Sequence, residues 1–116
     1  MKSGTDLINE SKTRIRQVDA ADALAIHSRG GATFLDVRDQ QEVNLGRIPN
    51  AVHISRGNLE TKIEAVVPRD AEVVIYCASG NRSALAADTM QQMGYTNVCS
   101  LAGGFRGWAE AGGEID

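Results

Sequence analysis

Val73-Val74-Ile75-Tyr76-Cys77-Ala78-Ser79-Gly80-Asn81-Arg82-Ser83 is an apolar run that stops at a cysteine and turns through small residues into a helix. Val73 to Tyr76, β-branched and aromatic, read as a buried strand, and Leu85, Ala86, Met90 and Met93 recur at the spacing of a helix face. Cys77 therefore lies at the C-terminal end of a strand, where an open α/β sheet binds ligands because helix N-termini with unpaired N–H groups converge there. A free thiol has a pKa of about 8.5, and a helix N-terminus or a nearby arginine lowers it. Arg82 supplies such a charge. Ala78 and Ser79 are small and Gly80 tolerates positive φ, so the loop can curl its amides inward as an anion-binding nest. A lone cysteine after a strand is more often a small core hydrophobe. Here a glycine, an arginine and a serine between strand and helix favour a functional thiol, because packing alone does not call for them.

Working outward, strand and helix patterns alternate along the whole chain. Arg14 to Val18 reads as a short strand, Asp19 as an N-cap, and Leu24, Ala25 and Ile26 as the apolar side of a helix ended by Gly30-Gly31. Thr33 to Val37 is a second strand, too apolar to be half exposed, which argues for a parallel sheet covered on both faces. Asp36 inside it needs a partner: Arg38, Arg82, or loop amides. A sharper role is to orient Arg82 or shape the cysteine loop from below. Gln40 to Leu45 reads as a short helix before Gly46 and Pro49, Ala51 to Ile54 as a strand, and Asn58 to Val67 as a helix closed by Pro68. Gly94 caps the helix after Cys77, Asn97 to Leu101 is another strand, and Phe105 to Ala111 is a final helix with Trp108 in the core. Residues 1–13 are polar, with Leu7 and Ile8 among them, and read as a loose helix or an untidy terminus. The pattern as a whole is that of a three-layer α/β/α domain.

Composition narrows the function classes. The 116 residues fit one domain, and a net charge of −3 gives no general attraction to nucleic acid or anionic membrane. No apolar run approaches the roughly 20 residues of a membrane span, and the first twenty positions lack the core of a signal peptide, so a cytoplasmic protein is expected. The two cysteines form no C-x-x-C pair, and with only His27 and His53 beside them no metal site is expected. Cys99 reads as a buried structural thiol, His27 as a helix C-terminal residue, and His53 as a partly exposed strand residue rather than a base.

Three ordered motifs resemble those of single-domain rhodaneses. Cys77-Ala78-Ser79-Gly80-Asn81-Arg82-Ser83 is similar to that family's active-site loop. Leu35-Asp36-Val37-Arg38 with Glu42, Gly46, Ile48, Pro49 and Ala51 is similar to its upstream signature, and Gly103-Gly104-Phe105-Arg106-Gly107-Trp108 to its C-terminal one. The likeness runs from about Arg14 to about Gly112, with Arg47 standing where many relatives carry His. It implies a rhodanese-like domain over residues 14–116 after an N-terminal segment 1–13, built on five parallel strands. It also implies a sulfurtransferase that uses neither cofactor nor metal. Cys77 would take a sulfane sulfur from thiosulfate, a persulfide or a polysulfide and pass it to a thiol or cyanide, with a protein acceptor left open. Ala78, Ser79, Gly80, Asn81, Arg82 and Ser83 would bind substrate, Arg82 holding a donor's negative charge, while Asp36 and Arg38 would support the loop.

Two rival readings remain. Cysteine-dependent phosphatases and arsenate reductases place five residues between cysteine and arginine to wrap an oxyanion, whereas Ala78 to Asn81 are only four, a smaller ring suited to a single sulfur. A non-catalytic binding module is the other, disfavoured because Cys77 and Arg82 are both present.

Overall fold

The computed structural model describes all 116 residues. It contains α1 (Gly4–Arg14), β1 (Arg16–Val18), α2 (Ala20–Arg29), β2 (Thr33–Asp36), α3 (Gln40–Asn44) and β3 (Val52–His53). A 3-10 turn at Arg56–Asn58 leads into α4 (Leu59–Val66), followed by β4 (Val73–Tyr76), α5 (Asn81–Gln92), β5 (Val98–Leu101) and α6 (Gly104–Glu110). The five strands form one sheet in the order β1-β5-β4-β2-β3, and every neighbouring pair is parallel. The expected three-layer α/β/α architecture with a five-stranded parallel sheet is therefore present.

β4 lies at the centre of that sheet, with all four residues buried. Its alternation divides the core in two. Val73, Ile75 and Cys77 pack with Leu35, Ile63, Ala86 and Met90 on the side of α4 and α5. Val74 and Tyr76 pack with Ala23, Phe34, Leu101 and Trp108 on the side of α2 and α6. Each fully buried Ile, Leu or Val contributes about 1.5–3 kcal/mol relative to exposure, so burial on both faces anchors the strand that presents Cys77.

The N-terminus departs from the expected strand. Arg14 closes α1 instead of opening β1, and the expected division after residue 13 falls within that helix. Ser3 starts α1 with a reciprocal capping box to Asp6, and the only buried residue in the helix is Ser11. What holds α1 is polar. Arg14 grips Asp88 on α5 at 3.0 and 2.8 Å, Ser11 Oγ donates to the same carboxylate at 3.4 Å, and Gln91 donates to the Arg14 carbonyl at 2.9 Å. Hydrophobic periodicity carries no trace of such an attachment. The other differences are small: the 3-10 turn precedes α4, β3 is two residues shorter than the expected strand over residues 51–54, the strands ending at Asp36 and starting at Val98 are each one residue shorter than expected, and helix ends shift by a residue.

Candidate active site

The chain leaves β4 at Tyr76 and reaches α5 through four residues, Cys77 to Gly80. Gly80 takes φ +107°, a conformation that residues with a Cβ rarely adopt, so the turn itself calls for glycine. The loop's carbonyls are tied down from outside. Phe105 N–H donates to the Cys77 carbonyl at 2.8 Å and Arg106 N–H to the Ala78 carbonyl at 3.3 Å, both from the first turn of α6. That approach explains Gly104: a Cβ on it would lie 2.6 Å from the carbonyl oxygens of Cys77 and Ala78.

With the carbonyls held outward, the loop's donors turn toward the sulfur. Gly80 N–H donates to Cys77 Sγ at 3.1 Å and Ser83 N–H at 3.4 Å, and Ser83 Oγ lies 3.5 Å from Sγ. Burial, with Cys77 only 1% exposed, pushes the thiol pKa up. The Ser83 hydroxyl and the N–H groups of Ser83, Gly80 and Ser79 outweigh it, and the net shift is below the ordinary thiol value. An anionic sulfur at this position is thus stabilised by neutral dipoles. Ser79 and Asn81 are exposed at the mouth, Ala78 is half-buried, and Lys12 of α1 donates to Asn81 Oδ1 at 3.0 Å.

Arg82 is not held by Asp36. Its Nη1 and Nη2 donate to the two carboxylate oxygens of Glu42 at 2.7 and 3.0 Å. The Arg82 hydrogen bond draws the Glu42 carboxyl down to about 2, while Glu42 raises the guanidinium pKa in return. Glu42 also accepts from Asp39 N–H at 3.0 Å as the reciprocal half of α3's capping box, so the helix start aims its carboxylate. The arginine next to the loop is therefore a paired charge, with Glu42 as its partner where Asp36 was the carboxylate weighed.

Asp36 is taken by Arg38, the first of the alternatives left open. Nε and Nη2 of Arg38 reach its carboxylate at 3.0 and 2.7 Å, and the Arg38 backbone N–H adds a bond of 3.0 Å. The same guanidinium donates to the Gly46 carbonyl at 2.8 Å and lies 4.4 Å from the Phe105 ring centroid. Arg38 thereby clamps the end of β2 to the loop after α3 and to α6. The expected supporting pair stands beneath the site and does not touch the sulfur loop's arginine.

The histidines stand in structural roles. His27 packs edge-on against Phe34 and Trp108 and bonds the Pro49 carbonyl at 3.0 Å, and His53 bonds the Arg38 carbonyl at 2.7 Å. Cys99 is buried on the opposite face of the sheet, where burial raises its pKa. Two residues at the site went without a role in the sequence reading. Glu42 had one local signal, the spacing Asp39-x-x-Glu42 of a capping box. Ser100, whose Oγ lies 2.8 Å from Ser83 Oγ, had another: a hydroxyl inside an otherwise apolar strand.

Comparison with known proteins places this geometry. The family described as "Rhodanese-like domain" matches residues 19–111. A Bacillus subtilis (strain 168) protein named "Putative sulfur carrier protein YrkF" is 31% identical over 109 residues, 93% of this chain and 58% of that protein, so the chain spans little more than half of it. An Allochromatium vinosum protein named "Sulfurtransferase" is 37% identical over 79 residues, covering 68% of this chain and 73% of the relative. A solved Rhodopseudomonas palustris structure, described as a protein of unknown function and "Possible Tyrosine Phosphatase", superposes with a TM-score of 0.91 at 36% identity, covering 100% of this chain and 96% of its own. A rhodanese-related protein from Thermoplasma volcanium gives 0.79 at 34% identity, over 87% of this chain and 97% of its own. Matched from residue 19 to 111, and 37% identical to the Allochromatium relative, this chain belongs to the rhodanese-like domain family.

Proposed function

We propose that the protein is a sulfurtransferase that carries a sulfane sulfur as a persulfide on Cys77. The thiolate attacks the outer sulfur of a donor, the donor's sulfur–sulfur bond breaks, and sulfite or a thiol leaves with the electron pair. An acceptor thiolate or cyanide then attacks the terminal sulfur and returns Cys77 as thiolate. The observation that carries this reading is the convergence of Gly80 N–H, Ser83 N–H and the Ser83 hydroxyl on one buried sulfur. Those donors suit an anion no larger than sulfur, and being fixed by β4 and α6 they need no rearrangement as charge develops. Because Arg82 is shared with Glu42, persulfide and polysulfide donors fit as readily as thiosulfate. A protein acceptor is in keeping with the name of the Bacillus relative.

The description of the Rhodopseudomonas structure raises phosphatase chemistry as the rival. Only four residues separate Cys77 from Arg82, and the guanidinium is turned to Glu42, so neither the ring size nor the arginine is arranged for a tetrahedral oxyanion. Intact mass after brief incubation with thiosulfate or polysulfide, beside Cys77→Ser, tests the proposal. A gain of about 32 Da on the wild type alone, removed by thiol or cyanide, is expected. No gain with either donor would overturn it.

A further inference from the structure

β5 is buried throughout, and Ser100 is its single hydroxyl, 0% exposed. By strand alternation Val98 and Ser100 face α5 while Cys99 and Leu101 face α6, in line with the division of the two cores. The register sets Ser100 beside Ile75, two residues before Cys77 on the neighbouring strand. A buried hydroxyl without a partner destabilises a fold, and its one side-chain partner is Ser83 Oγ at 2.8 Å. Ser83 in turn is fully buried and lies against Cys77 Sγ. Three polar atoms thus form a line running from the sheet interior to the sulfur.

We propose that Ser100 is a positioning residue for Cys77, holding Ser83 so that the Ser83 hydroxyl proton faces the sulfur whenever the sulfur is anionic. The reasoning is an inventory of donors. A hydroxyl has one proton and two lone pairs, and a thiolate or persulfide anion only accepts. Ser83 must then donate to sulfur and can take its own hydrogen bond only from Ser100. The Ser100 proton has no competing side-chain acceptor, so both hydroxyls point one way and each polarises the next. When Cys77 is a thiol the line reverses: Sγ–H donates to Ser83 and Ser83 to Ser100. On ionisation the thiol proton leaves to solvent, both serines stay neutral, and the two hydroxyls turn together. The charged groups around the site are Arg82 of α5, which interacts with the Cys77 charge, with its partner Glu42 of α3, the Asp36–Arg38 pair at the end of β2, and Lys12 at Asn81. None of them touches Ser100, so replacing it leaves them in place.

The inference rests on Cys77 being the nucleophile, and its test is independent of any sulfur donor. The pH dependence of Cys77 alkylation by neutral iodoacetamide is followed by mass in the wild type, Ser83→Ala, Ser100→Ala and the double variant. Ser100→Ala is expected to raise the midpoint by about half a pH unit, roughly a threefold loss of thiolate at neutral pH, with Ser83→Ala raising it further. The double variant should match Ser83→Ala, since Ser100 acts only through Ser83. Ser100→Thr, which keeps the hydroxyl, should return the midpoint toward wild type. An unchanged midpoint in Ser100→Ala, or the same increment from Ser100→Ala with and without Ser83, would overturn the proposal. A wild type that gains no sulfur mass would instead sink the sulfurtransferase reading and leave this titration standing.

Discussion

Arg38 and Arg82 each grip a carboxylate with two nitrogens, but the Arg38 and Asp36 side chains are 5% and 0% exposed whereas those of Arg82 and Glu42 are 36% and 33% exposed. The buried pair is fixed from several directions at once. Arg38 also holds the Gly46 carbonyl, and Asp36 also accepts a backbone amide. Arg82 has Glu42 alone. Two pairs with the same chemistry therefore sit differently: the inner one joins strands and loops into a floor, and the outer one stands half-exposed beside the cysteine loop, where under the proposed function it would set the charge an incoming donor meets. The contrast follows from solvent. A desolvated charge is costly to leave unpaired, while a half-exposed one can exchange its partner for water or for a substrate.

The strongest way to test that division is to break the inner pair. Asp36→Ala leaves a buried guanidinium without its counter-charge and should cost about 3–5 kcal/mol, read as a large fall in the denaturant midpoint. The matching change outside, Glu42→Gln, should cost less than about 1 kcal/mol because water screens both groups. Equal losses from the two substitutions would remove the distinction between floor and mouth.

The legibility of the site follows the same division between local and long-range. β4, the small-residue loop and the start of α5 were readable because each rests on neighbours in sequence: β-branched side chains, a glycine needing positive φ, and a change of periodicity from strand to helix. The parallel sheet was readable from a β2 too apolar to be half exposed and from the alternation of strands and helices. The pairing of Arg82 with Glu42 was not, since it joins positions forty residues apart, and the carboxylate weighed for Arg82 was Asp36. Ser100 meets Ser83 only after β5 is placed beside β4, which no local pattern encodes. α1 was legible only as a loose helix or an untidy terminus, because capping and the Arg14–Asp88 pair hold it where an apolar stripe would have decided between the two.

A second prediction concerns the outer pair as a selector of donors. Arg82→Ala removes a positive charge and at the same time uncovers the Glu42 carboxylate. Rates of Cys77 thiolate consumption should therefore fall about tenfold more for dianionic thiosulfate, which leaves a Cys77 persulfide and releases sulfite, than for a neutral dialkyl trisulfide, which leaves a Cys77 alkyl trisulfide and releases an alkanethiolate, roughly 1.4 kcal/mol of selectivity. Adding Glu42→Gln to Arg82→Ala should recover part of that loss. Equal losses for both donors would show that the pair holds the loop in shape without selecting by charge, which would make it a smaller copy of the inner pair.

The smallest expected effect is the acid limb of the Glu42 contribution. The Arg82 hydrogen bond holds the folded-state carboxyl at about 2, below the roughly 4.3 of an unfolded glutamate. A depressed pKa means that the folded state binds the proton less readily than the unfolded chain does. Its stabilisation is thus complete above about pH 4.3 and is lost as pH falls from there toward about 2. Exposure keeps the whole contribution below about 1 kcal/mol, so a single acid denaturation curve, dominated by other carboxylates, will not resolve it. The difference between wild type and Glu42→Gln isolates it, because groups common to both cancel. That difference should stay constant from neutral pH to about 5 and shrink as pH falls below 4. A difference that persists undiminished in acid would mean that the side chain stabilises α3 through its capping bond to Asp39, which glutamine retains only in part, and not through charge on Arg82.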